Sequence, residues 1–159
     1  MRISVCPGSF DPVTMGHIDI FERASNLFDV VIAAVFHNPN KKPLFSMEER
    51  VQMLKESTSH IPNIRVDSFS GLLNDYLCRQ NSNIIVRGLR ALSDFEYEFQ
   101  RALLLKKVEP DIETVFMMTS SEYSFISSTA IKELAKFGGS ITGFVPACVE
   151  SRIAKRLCD

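Results

Sequence analysis

The chain has 159 residues, 45% of them apolar and 23% charged, with a formal net charge of −1. That length and balance predict one soluble domain over residues 1–159 with a single core, and they exclude a disordered chain or a general attraction to nucleic acid and anionic membranes. Any anion site has to be built locally. The longest aliphatic stretch, Val30 to Phe36, is too short to cross a bilayer, and the N-terminus lacks the basic and apolar regions of a secretory signal, so a cytoplasmic protein is expected. Cys6, Cys78, Cys148 and Cys158 are scattered, without CxxC or metal-ligand spacing, and read as free thiols.

The first predicted element is a strand over Ile3–Cys6, running into the turn PGSFDPVTMGH. A helix is expected from His17 to about Phe28, with Ile18, Phe21 and Ala24 on its apolar face. Gly16 has no side chain to hold a ligand away, and the first N–H groups of a helix lack partners within it. A phosphate would find backbone donors and the His17 ring there, whereas a histidine that is merely surface is the plainer alternative. A second strand, Asp29–Phe36, leads into HNPNKKPLF, whose Lys41 and Lys42 read as a solvated pair or as anion ligands. Ser46 and Glu49 form a capping box for a helix to about Ser57. A strand over Asn63–Asp67, a short helix over Leu72–Gln80 and a strand over Asn83–Val86 follow.

After that strand, Arg87 and Arg90 flank Gly88. Guanidinium groups there either grip phosphate in a fork or pair structurally with Asp94 or Glu96. Ser93 and Glu96 repeat the capping box before a helix reaching about Val108. Beyond a strand over Thr114–Met118, SSEYSFISST crowds hydroxyls in front of a helix start. Ser127 or Ser128 caps that helix, and the surplus hydroxyls suit a second phosphate cradle. Gly138 and Gly139 stop it, and Pro146 opens a last helix through Arg156. About five alternations of strand and helix predict an α/β fold, a parallel sheet with helices on both faces and ligands at the carboxyl ends of the strands. With no GxxxxGK[ST], no GxGxxG and no carboxylate cluster for two metals, the expected site is a basin for two anions, held by helix starts and scattered cations.

The succession PGSFDPVTMGH, KKP, RGLRALSDFEYE and YSFISST resembles the bacterial phosphopantetheine adenylyltransferases almost end to end. TxGH marks the wider nucleotidyltransferase superfamily, where HxGH is commoner; the other segments are narrower marks. The resemblance implies a Rossmann-like nucleotidyltransferase fold with a five-stranded parallel sheet, a homohexamer, and transfer of the adenylyl group of ATP, accompanied by Mg²⁺, to 4′-phosphopantetheine. The products would be dephospho-coenzyme A and pyrophosphate, with coenzyme A as feedback inhibitor. By matching position it implies that Ser9 and Phe10 contact ATP, Ser9 also meeting the acceptor phosphate, and that His17 binds the nucleotide phosphates and stabilises the transition state. Lys41, Leu73 and Arg87 would hold phosphopantetheine. Gly88, Leu89, Arg90, Glu98, Tyr123, Ser124, Phe125, Ile126, Ser127, Ser128 and Thr129 would hold ATP. Ser9 stands where threonine is common and Tyr123 where tryptophan is common, which keeps the hydroxyl and the aromatic face. The competing readings are a sister nucleotidyltransferase with another acceptor or CTP, and a nucleotide sensor without catalysis.

Overall fold

The computed structural model describes residues 1–37 and 42–158. Five parallel strands form one sheet: β1 (Ile3–Gly8), β2 (Val30–Phe36), β3 (Ile64–Phe69), β4 (Ile84–Leu89) and β5 (Glu113–Met118), in the order β3-β2-β1-β4-β5. Between and after them lie α1 (Met15–Ser25), α2 (Met47–Ser57), α3 (Leu73–Arg79), α4 (Leu92–Val108), α5 (Ser128–Lys136) and α6 (Ala147–Cys158). The expected α/β architecture holds. Val31, Ala33 and Val35 of β2 face a core shared with α1, α2, α5 and α6, while Val30, Ile32 and Ala34 face a second core shared with Tyr76 and Leu77 of α3. A strand covered on both faces has no use for alternating polar residues, which is why VVIAAVF reads as one apolar run.

The sheet order also opens the cleft. From β1 the chain builds outward through β2 and β3, then returns to lay β4 on the other side of β1. β1 pairs with β2 from Ile3↔Val30 to Gly8↔Val35 but with β4 only at Ser4↔Ile84 and Val5↔Ile85. Pro7 has no N–H to give a ladder, and its carbonyl takes the Arg87 Nη1 at 2.8 Å instead. The two strands therefore part at their carboxyl ends where the strand order reverses, the place at which such sheets bind ligands.

Of the boundaries that differ from the sequence reading, which include α1 ending at Ser25 and β3 reaching Phe69, three lie at the cleft. β1 runs on through Pro7 and Gly8, and β4 through Arg87, Gly88 and Leu89, because β2 and β5 continue to pair with them after the β1–β4 ladder has ended. The first helix starts at Met15, so Thr14 precedes it and His17 is its third residue. The Ser46–Glu49 capping box forms, with Ser46 N–H donating to Glu49 Oε2 at 2.7 Å and Glu49 N–H to Ser46 Oγ at 3.2 Å. The Ser93–Glu96 box does not: α4 begins at Leu92 without a side-chain cap. Asp94 instead turns back to accept the Arg90 backbone N–H at 3.1 Å.

Candidate functional site

A cavity of about 530 Å³ occupies the cleft, lined by the β1 turn, the end of β4 and the starts of α1 and α5. The β1 turn is fixed from outside. Asp11 is buried, and its carboxylate accepts from the backbone N–H groups of Leu44 and Phe45, both at 2.9 Å, and from Lys132 Nζ at 2.8 Å. Burial alone would raise its pKa, but Lys132 and those N–H groups outweigh it and hold the carboxyl below its ordinary value. One side chain thus joins the first turn to the segment before α2 and to α5.

His17 sits at the centre of this arrangement. Its Nδ1 accepts the Thr14 backbone N–H at 3.0 Å and lies 3.1 Å from the Thr14 hydroxyl, so in the neutral ring the proton is on Nε2. Phe10 meets the ring edge-on with centroids 5.0 Å apart. Burial, helped by the nearby Arg90 charge, takes the His17 pKa down to about 4, so the ring is neutral at physiological pH. The backbone donors around it are fewer than the sequence suggests. Met15 N–H is taken by Phe144 O at 2.9 Å and His17 N–H by Thr14 O at 3.0 Å, leaving Gly16 N–H as the free one of the first three among the described residues. A Cβ on Gly16 would meet Thr119, Thr14 and Tyr123 at no less than 3.6 Å, so packing within the chain does not require glycine there.

Gly88 is the opposite case. A Cβ there would stand 2.9 Å from Ile20 Cγ1, so close packing of α1 on β4 demands glycine, where the sequence reading invoked a ligand. On either side of it the arginines have carboxylate partners. Arg87 Nε lies 3.4 Å from Glu98, rather than from Asp94 or Glu96, and Arg90 grips Asp94 with Nε at 2.9 Å and Nη2 at 3.1 Å. Arg90 Nη1 also donates to Ile126 O at 3.3 Å. The ion-pair reading of these arginines holds, with Glu98 as a partner the sequence reading does not name, and the pairs keep both guanidinium groups at the cavity wall.

The hydroxyl cluster is mostly engaged. Ser127 Oγ caps α5 by accepting from Ala130 N–H at 3.0 Å, Ser128 donates to Pro12 O at 2.7 Å and Ser124 to Ser121 O at 2.9 Å. The surplus that suggested a phosphate cradle is therefore largely structural. Thr129 remains exposed at the cavity, and α5 points its start into it.

Of the residues picked from the sequence, the cavity gathers Ser9, Phe10, His17, Arg87, Gly88, Arg90, Glu98, Ile126, Ser127, Ser128 and Thr129. Leu89 is buried at the end of β4, Tyr123 packs over Gly16, Ser124 lies in the turn before α5, and Phe125 is exposed with its ring edge-on to Phe144; none of the four lines the cavity. Leu73 belongs to a second, mainly apolar cavity of about 400 Å³ beside α4, and Arg87 and Glu98 line both cavities. Lys41 lies outside the described residues, while its neighbour Lys42 lines the first cavity. Sequence reasoning passed over Arg50 and Lys132, and it gave Thr14 no role of its own inside the TxGH element and Asp94 only that of a candidate partner for the arginines. Arg50 was hidden in an ordinary amphipathic helix. Burial pushes the Cys6 thiol at the cavity floor up to about 12, which leaves it protonated and inert. No three of the described His, Cys, Asp or Glu residues gather as metal ligands.

Comparison with known proteins decides the family. Residues 5–134 match the cytidylyltransferase-like family model. The chain is 55% identical over 159 residues to the phosphopantetheine adenylyltransferase of Heliobacterium modesticaldum, covering 100% of this chain and 95% of that one. It is 56% identical over 156 residues to that of Carboxydothermus hydrogenoformans, covering 98% and 96%. The chain belongs to the phosphopantetheine adenylyltransferase family. As a member it is a nucleotidyltransferase, an enzyme. A solved structure of a nicotinate-nucleotide adenylyltransferase candidate from Vibrio parahaemolyticus superposes with a TM-score of 0.70 at 16% identity, covering 96% of this chain and 99% of that one, which shows the shared fold. No helix among the described residues is long and apolar enough to cross a membrane.

Proposed function

We propose that the chain transfers the adenylyl group of ATP to 4′-phosphopantetheine, forming dephospho-coenzyme A and pyrophosphate by direct in-line attack. Family membership supports the substrates, and the state of His17 carries the mechanism. A phosphate monoester near neutral pH, with its second pKa about 6, is already an adequate nucleophile, so the site needs no base; it needs to align two repelling anions and to meet the charge that grows on the α-phosphate. A neutral ring whose Nδ1 is occupied by Thr14 offers Nε2–H as a donor and has no free lone pair with which to take a proton. His17 then stabilises the transition state, and Gly16 N–H donates beside it.

The acceptor's phosphate is assigned to Arg87 with Lys41 and Ser9, and its pantetheine arm to the apolar cavity containing Leu73, which meets the first cavity at Arg87. ATP is assigned to Phe10, Arg90, Glu98 and the 123–129 segment, whose members outside the cavity would act by shaping its wall. The carboxylates lining the cavity, Asp11, Asp94 and Glu98, each face a cation. The magnesium expected with ATP would therefore be held by the nucleotide's own phosphates, whose charge it would help to neutralise. A homohexamer is supported by α4, a 17-residue helix that buries none of its residues and exposes Leu92, Tyr97, Leu103, Leu104 and Val108. A cytoplasmic location and inhibition by coenzyme A follow from the same reading. The test is stereochemical: with ATP carrying sulfur at the α-phosphorus, transfer to 4′-phosphopantetheine should invert that centre. Retention would require a covalent intermediate and refute direct attack.

A further inference from the structure

Three cations that line the larger cavity each have a carboxylate: Arg87 has Glu98 at 3.4 Å, Arg90 has Asp94 at 2.9 Å, and Lys132 has Asp11 at 2.8 Å. Arg50 lines the same cavity and differs from them. It is 3% exposed, yet no carboxylate of the described residues lies within 4.0 Å of its nitrogens. Its two hydrogen bonds go to carbonyls. Nη1 donates to Ser9 O at 2.8 Å and Nε to Ser46 O at 3.3 Å, and Nη2 donates to none of the described residues.

Burying a guanidinium without a carboxylate is costly, and carbonyl dipoles offset only part of the cost. Asp11 and Glu48 are the carboxylates whose charge acts on it, and the Asp11 oxygens are already taken by Leu44, Phe45 and Lys132. The charge on Arg50 thus has no carboxylate in contact with it among the described residues, Asp11 and Glu48 attracting it only from further away, inside a cavity built for anions. The bond to Ser9 gives it a second effect, because Ser9 and Phe10 form the turn beneath His17, with Phe10 in the left-handed region at φ 46°. A backbone held there depends on its surroundings to stay in place.

We propose that Arg50 is a positioning residue for adenylyl transfer, fixing the Ser9–Phe10 turn through Ser9 O while its charge, with no carboxylate in contact, favours phosphate in the cavity. This inference rests on reading the cavity as the site of transfer. Arg50→Gln removes charge and clamp together; Arg50→Lys keeps the charge but not the two-point clamp. Melting temperature, kcat, the KM of each substrate, and calorimetric binding of inorganic pyrophosphate are compared with the parent. The expected result for Arg50→Gln is a kcat lower by roughly ten- to a hundred-fold and pyrophosphate binding weaker by about tenfold, with Arg50→Lys between it and the parent. If both variants keep the parent's kcat, KM and pyrophosphate affinity and only melt earlier, Arg50 is merely structural and the proposal is overturned. Should Arg50→Gln fail to fold, Arg50→Lys decides: a kcat at least about threefold lower supports the clamp, and an unchanged kcat overturns it. If the parent chain makes no dephospho-coenzyme A, the functional reading itself has failed. Pyrophosphate binding then judges Arg50 alone, weaker binding supporting the role and equal binding overturning it.

Discussion

Replacing His17 separates a hydrogen-bond donor from a base. His17→Ala deletes the Nε2–H aimed into the cavity, and the loss of one preorganised donor to a developing charge costs about 3–4 kcal/mol of transition-state stabilisation, or roughly a hundred- to a thousand-fold in kcat. The KM for ATP should move far less, since the contact strengthens as charge builds. His17→Gln, whose amide can place an N–H near the Nε2 position, should recover part of the rate. The pH profile sharpens the distinction. With a pKa of about 4 the ring is neutral throughout pH 5 to 9, so any fall in rate near pH 6 reflects the acceptor's own second ionisation and should persist in His17→Gln. The same shift has a stability signature. Below the unfolded value of 6.5 the unfolded chain takes up a proton that folded His17 refuses until about pH 4, so stability falls over that window as pH drops, by about 3 kcal/mol, and His17→Gln lacks that fall. Pyrophosphate release measured between pH 5 and 9, with denaturant melts from pH 7 to 4, reads both. An acid limb near pH 6 that disappears in His17→Gln, or a His17→Ala enzyme with the parent kcat, would refute the donor role.

Other expectations follow from particular contacts. Arg87→Ala removes the cation shared by the two cavities and should raise the KM for 4′-phosphopantetheine roughly ten- to a hundred-fold with a smaller change for ATP in steady-state kinetics; the reverse pattern would exchange the two subsites. Gly88→Ala should destabilise by about 1–3 kcal/mol through its contact with Ile20, and in a double-mutant cycle Ile20→Ala should cost less in that background than in the parent, as read by urea unfolding. Additive costs would mean that the two do not meet. Light scattering at micromolar concentration should give a hexamer, and Leu103→Glu on the exposed face of α4 should break it into smaller species; a monomeric parent would remove the assembly reading.

Much of the fold can be read from residue order, because strands buried on both faces are written as short apolar runs and the helices between them carry periodic faces. VVIAAVF and the Ser46–Glu49 box are direct examples. What misleads is information that sits across the sheet. Arg87, Gly88 and Leu89 read as a loop after a strand, yet Phe116, Met117 and Met118 on β5 keep them in the ladder. Ser93 reads as a cap because nothing local reveals that Asp94 is drawn back to Arg90. The site divides the same way. Local turn chemistry points to Gly16 and His17, whereas the roles of Asp11, Arg50 and Lys132 depend on contacts 33 to 121 residues away in sequence. The hydroxyl cluster reads as a surplus because the carbonyls that engage Ser128 and Ser124, those of Pro12 and Ser121, are brought to them only by the folded turns.

The account stands most directly on which acceptor takes the adenylyl group. ATP with magnesium is supplied to the enzyme together with 4′-phosphopantetheine, nicotinate mononucleotide or glycerol 3-phosphate in separate reactions, and pyrophosphate release and product mass are recorded. Pyrophosphate should appear with 4′-phosphopantetheine, in step with a product of the mass of dephospho-coenzyme A, and at background level with the other two. Comparable or faster release with another acceptor, or no release with any, would contradict the account.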